Sequence, residues 1–149
     1  MAERAGTPHP RTGVSRREAF RPDPLPQDRP GGAVTDSDCL FCRIAAGELD
    51  ADVVYEDGRL VAFRDIDPKA PTHLLVIPVE HIPSLNELRD EHRELLGDMH
   101  LLARDLAREE GVADDGWRVV VNCGRGAGQT VFHVHMHLLG GRDLSWPPG

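Results

Sequence analysis

His133, His135 and His137 occupy every second position of one short run, with Val134 and Met136 between them. Side chains alternate faces along an extended chain, so the three imidazoles would project from one face. Phe132, Val134, Met136 and Leu138 would take the other. Three imidazoles side by side are costly to bury without partners, so the row argues for chemistry rather than core packing. Two chemistries suit it. One is metal ligation, because imidazole is a common ligand. The other is nucleophilic catalysis at phosphorus. There His135 Nε2 attacks and forms a phosphoramidate, while its neighbours fix its tautomer and supply a proton to the leaving group. The segment just before the row favours the second. Gly124, Arg125, Gly126, Ala127, Gly128, Gln129 and Thr130 form a glycine-rich loop whose backbone N–H groups can approach phosphate oxygens. Gln129 and Thr130 add side-chain donors.

A second constellation is Cys39-x-x-Cys42, open to three readings: half of a zinc site, a redox pair, or two ordinary buried thiols. A structural zinc needs four ligands, and His81 and His133 are available as the missing two. A redox pair would be expected in a thioredoxin-like βαβ context, which is absent here. Cys123 follows Asn122 beside the glycine-rich loop and has no assigned role.

The elements that must position these groups are legible from periodicity. Residues 39–48 suggest a short helix stopped at Gly47. Val53 to Tyr55 and Leu60 to Phe63 are β-prone runs separated by Glu56, Asp57, Gly58 and Arg59, a hairpin signal. His73 to Ile77 is a third strand ended at Pro78. Residues 90–110 form one long helix with Leu95, Met99, Leu102 and Leu106 on one stripe, and Gly111 stops it. Trp117 to Val121 is a fourth strand and Val131 to Leu139 a fifth. Five strands, one long helix and one short helix imply an α+β fold, an antiparallel meander with the helices on one side. Residues 1–36 hold six of the chain's twelve prolines and six arginines with no periodic apolar pattern. They read as a disordered tail, and residues 37–149 as one domain.

A net charge of -8 argues against general affinity for nucleic acid or anionic membranes. No stretch approaches the length of a membrane span and the N-terminus lacks the apolar core of a signal peptide, so a cytoplasmic location is expected. Three cysteines do not make a secreted disulfide framework.

Taken together, these segments resemble the histidine triad (HIT) superfamily, whose signature His-x-His-x-His plus two apolar residues stands here as HVHMHLL. More narrowly they resemble the Hint branch, the purine nucleoside phosphoramidases. The further matches are CLFCRI, VAFRDIDPKAPTHLLVIP, VVVN, GAGQTVFHVHMHLLGGR and the terminal WPPG, spread over residues 39–149. The resemblance implies a HIT-like fold whose sheet continues across a homodimer. It implies His135 as the nucleophile carrying AMP, with His137, His133 and His73 completing the catalytic histidines. Asp65 would bind the ribose hydroxyls, and Ile66 and Phe63 would help form the purine pocket. Asn122, Gly128, Gln129 and Thr130 would surround the phosphate, and Trp146 would reach the neighbouring subunit's site. The implied substrates are adenosine phosphoramidates and aminoacyl adenylates, and the implied chemistry requires no cofactor. A structural zinc on Cys39, Cys42, His81 and His133 has parallels among related proteins. The alternatives are a dinucleoside polyphosphate hydrolase, a nucleotide-binding scaffold with little turnover, and a protein that binds metal through the triad itself. The chain departs from the branch in its tail and at Val79-Glu80, where related chains often carry basic residues.

Overall fold

A computed structural model describes residues 37–149; the proposed tail, 1–36, lies outside them. The chain forms α1 (Leu40–Ala45), β1 (Val53–Glu56), β2 (Leu60–Arg64), β3 (Thr72–Pro78), α2 (Arg93–Glu109), β4 (Trp117–Val120) and β5 (Met136–Gly140). The five strands make one antiparallel sheet in the order β1-β2-β3-β5-β4. The first three strands meander as expected. The chain then leaves through α2 and returns on the far edge as β4, and β5 fills the gap beside β3. This departs from a simple meander, and it puts the triad-bearing strand inside the sheet, between β3 and β4.

The hairpin between β1 and β2 turns on Asp57. Its Oδ1 accepts the backbone N–H groups of Arg59 and Leu60 at 2.9 and 2.8 Å, and its Oδ2 accepts the Tyr55 hydroxyl at 2.9 Å. An aspartate that closes its own turn in this way is why the Asp-Gly signal was readable.

β3 is buried along its whole length, so it shows no alternation of polar and apolar residues. Both its faces are covered. On one, Leu74 and Val76 meet Leu60, Ala62, Met136 and Leu138 from the sheet and Leu95, Met99, Leu102 and Leu106 from α2. Burying each such side chain contributes about 1.5–3 kcal/mol. On the other, Leu75 and Ile77 meet Val61, Phe63 and the α1 residues Cys39, Phe41 and Cys42. The helices therefore lie on opposite faces, not on one. α1 is too short to cover a sheet by itself, but Phe41 and Cys42 within it and Cys39 at its N-cap are buried. Gly140 belongs to the α2 side of this packing: a Cβ there would stand 3.0 Å from two Val112 carbons.

The fifth strand is shorter than its pattern. Residues 131–135 carry the alternation but form no ladder: the pairing of β5 with β3 stops at Met136 opposite Val76, although β3 continues to Pro78. Instead Val134 N–H donates to the Ile82 carbonyl at 2.7 Å. The long helix is also shorter than 90–110, since residues 90–92 make a separate 3₁₀ turn.

Candidate active site

The face opposite α2 receives every histidine of the triad. They divide into two clusters whose members are held by different hydrogen bonds.

His137 lies on β5 opposite Leu75, and His73 lies on β3 opposite Leu139. The two imidazoles are thus diagonal neighbours, with His73 Nε2 2.9 Å from His137 Nδ1. The Lys69 backbone N–H donates to His73 Nδ1 at 3.0 Å. A backbone N–H can only donate, so neutral His73 carries its proton on Nε2 and passes it toward His137 Nδ1. That leaves neutral His137 with its own N–H at Nε2. Asp65 Oδ2 lies 3.4 Å from His73 Nε2, and Asp65 Oδ1 accepts the Asp67 N–H at 2.8 Å.

His135 obeys the same logic with the opposite result. Its Nδ1 lies 2.7 Å from the His133 carbonyl oxygen, which can only accept. The proton is therefore on Nδ1, and Nε2 presents a lone pair. The His135 and His137 rings stand 5.0 Å apart, centre to centre. Phe41 packs edge-on against His135 at 5.0 Å, a contact that sequence reasoning missed although CLFCRI contained it. Burial pushes His73, His135 and His137 below the usual imidazole range, His137 to about 4. Desolvation of the charged form is the largest cause in each. At neutral pH the cluster is uncharged, so a lone pair on His135 and an N–H on His137 are available together.

His133 belongs elsewhere. It is fully buried, and its Nε2 donates to the Pro78 carbonyl at 2.8 Å. Its lone pair at Nδ1 consequently faces away from the triad. It lies 3.4 Å from Cys39 Sγ, 3.5 Å from Cys42 Sγ and 3.3 Å from His81 Nδ1. Cys42 Sγ is also 3.3 Å from His81 Nδ1. Around a tetrahedral zinc, nitrogen ligands stand about 3.3 Å apart and nitrogen and sulfur about 3.5 Å. The four donors match that spacing before any metal is added. Burial holds His133 down to about 4, so its ligating nitrogen is unprotonated at neutral pH. The second-sphere carbonyl of Pro78 is the partner that metal-bound imidazoles usually have.

The glycine-rich loop is organised around Gln129. Gln129 is buried, its Oε1 accepts the Gly124 N–H at 2.9 Å, and its Nε2 donates to the carbonyls of Pro83 and Val131 at 2.8 and 3.1 Å. Its amide makes these three hydrogen bonds inside the loop and holds the loop backbone in shape. Gly128 has φ 92°, a conformation that favours glycine, and the Asn122 side-chain amide stands beside it. Thr130 is exposed on the wall of an open cavity of about 380 Å³ shared with Cys39, Leu40, His81, Val131 and Phe132. Phe63 is buried against Phe41 beneath the site. Ile66 and Trp146 are exposed, at 99% and 81%.

A sheet of this order with a row of alternating histidines defines a HIT-type nucleotide domain, and comparison with known proteins agrees. The family described as "Scavenger mRNA decapping enzyme C-term binding", a HIT domain, matches residues 38–145. The chain is 49% identical over 105 residues to the purine nucleoside phosphoramidase of Escherichia coli K12, covering 70% of this chain and 88% of that protein. It is 46% identical over 116 residues to a 14 kDa zinc-binding protein of Zea mays, covering 76% and 90%. Among solved structures, a HIT family hydrolase from Legionella pneumophila superposes with a TM-score of 0.74 at 53% identity, covering 75% of this chain and all of that one. The chain belongs to the histidine triad superfamily and is a hydrolase of it. No helix among the described residues is long and apolar enough to cross a membrane.

Proposed function

We propose that this hydrolase cleaves the P–N bond of purine nucleoside 5'-phosphoramidates, and the acyl phosphate bond of aminoacyl adenylates, to release AMP. The observation that carries the reading is the pair of opposed tautomers: a lone pair on His135 Nε2 beside an N–H on His137 Nε2. The similarity to a purine nucleoside phosphoramidase supports the substrate class.

In the first step His135 Nε2 bonds to phosphorus and the bond to the leaving nitrogen breaks. The leaving nitrogen takes the His137 Nε2 proton, which a solvent proton replaces, and the positive charge on the substituted imidazole is met by the His133 carbonyl at Nδ1–H. In the second step water attacks phosphorus, gives up a proton to solvent, and expels neutral His135. The sum is phosphoramidate plus water giving AMP plus amine. An acyl adenylate leaves as a carboxylate and needs no proton. Asp65 accepts the ribose hydroxyls. Asn122, Gly128 and Thr130 cradle the phosphate over a loop held in shape by Gln129.

The enzyme acts as a homodimer in this reading. Edge strand β4 continues the sheet into the partner, and exposed Trp146 and Ile66 complete a purine pocket with buried Phe63 behind it. A zinc held by Cys39, Cys42, His81 and His133 would brace the fold and take no part in the bond changes. Incubation with an adenosine phosphoramidate tests the reading. AMP appears with wild type and not with His135→Ala; equal rates would sink the assignment.

A further inference from the structure

Asp65 stands beside the proton-donating pair. It follows the last residue of β2, and its backbone N–H donates to the His73 carbonyl at 3.0 Å, so it is tied to the strand that carries His73. Its Oδ1 accepts the Asp67 N–H at 2.8 Å, while its Oδ2 lies 3.4 Å from His73 Nε2. The same nitrogen lies 2.9 Å from His137 Nδ1. Neutral His73 has a single N–H at Nε2, and two acceptors stand within reach of it. The Asp65 side chain is 18% exposed, and a carboxylate offers about four lone-pair sites, so room is left for the two hydroxyls of a ribose. Asp65, His73 and His137 bring their donor atoms within 4.8 Å of one another. The sugar would meet one end of this group and the leaving nitrogen the other.

The charge on Asp65 works against the acid. Burial lowers His73 and His137, His137 to about 4, and the nearby carboxylate opposes that lowering in both. When the P–N bond breaks, its electron pair goes to the leaving nitrogen, which takes the His137 Nε2 proton. The N–H bonding pair stays on the His137 ring until a solvent proton arrives. A bare carboxylate nearby disfavours that negative charge, and an N–H donated to Nδ1 favours it. We propose that Asp65 couples ribose recognition to proton donation: once ribose hydroxyls donate to its carboxylate, the His73 N–H goes to His137 Nδ1 alone and His137 becomes the better acid. The sugar is then read in the rate of P–N cleavage as well as in binding. This rests on Asp65 binding the ribose and on His137 donating the proton.

The test is a two-by-two comparison on the full-length chain: adenosine against 2',3'-dideoxyadenosine, each as a phosphoramidate and as an acyl adenylate. Leaving-group release is followed in a single turnover at saturating enzyme, which isolates the first step from release of AMP. An acyl group departs as a carboxylate and needs no proton, so it reports what the missing hydroxyls do to alignment alone. Proton donation is worth about 10²- to 10⁴-fold, and a weakened donor should lose about 10-fold of that. The dideoxy penalty on rate should therefore be about 10-fold larger for the phosphoramidate than for the acyl adenylate. Asp65→Asn, which keeps the shape and removes the charge, should make the two penalties equal within about twofold. A sugar effect equal for both leaving groups in wild type, or confined to the half-saturating concentration, would overturn the coupling and leave Asp65 as a ribose ligand. An unequal penalty that persists in Asp65→Asn would also overturn it. No sugar effect in any constant would remove the ribose assignment as well.

Discussion

His133 and His137 are the same residue type, four positions apart, projecting from one face, yet they serve opposite ends of the site. His137 sits on β5 inside a ladder, receives a proton bond from His73, and presents an N–H. His133 sits before the ladder, gives its proton to Pro78, and presents a lone pair to two thiols. The difference lies in what each ring's second nitrogen meets: an imidazole whose protonation a backbone N–H dictates, or a carbonyl. A histidine's chemistry is set by the partner of its other nitrogen.

The comparison can be broken at several points, from the largest effect downward. His135→Ala should lower kcat by about 10⁴-fold or more, as loss of a covalent nucleophile does; rapid-quench assays of AMP release check it. His137→Ala should cost about 10²- to 10³-fold on a phosphoramidate and far less on an acyl adenylate, whose leaving group needs no proton. Equal losses on both substrates would deny His137 the role of proton donor. Leu74→Ala, in the fully buried core on the α2 side, should destabilise the fold by about 2–5 kcal/mol in denaturant titration.

The pH dependence follows from burial. His73, His135 and His137 all titrate below the ordinary imidazole value, so kcat/KM should stay flat through neutrality and fall only on the acid side of it. Stability has the same sign. Folded His137 and His133 resist protonation down to about 4, whereas the unfolded chain takes up those protons near 6.5. Their contribution is full above 6.5 and is lost as pH falls toward 4. Melting temperatures of the chelator-treated protein at pH 7 and pH 5 should therefore drop, and a rise would contradict the burial of these rings.

Much of this was legible in the residues. Asp57 and Gly58 announced the hairpin, and Leu95, Met99, Leu102 and Leu106 gave α2. The alternation of histidines gave the reactive face, and it holds even where the strand does not. Three things were hidden, each for a physical reason. The strand order depends on which edge the chain returns to after α2, which no local pattern encodes. The helices' opposite faces could not be read because α1 is only six residues long and too short to show a helical stripe. Gln129 looks like a ligand donor in sequence, but its amide is consumed by Gly124, Pro83 and Val131. The tautomers could not be foreseen at all, since the deciding partners are main-chain atoms of Lys69, Pro78 and His133.

The assignment of His135 as nucleophile is tested most directly by trapping. Acid quenching during turnover of an adenosine phosphoramidate, followed by peptide mass spectrometry, should find an adenylyl group on His135 and none on His133 or His137. An adduct on either neighbour, or release of AMP at full rate with no adduct on any histidine, would contradict the division of labour between the two clusters.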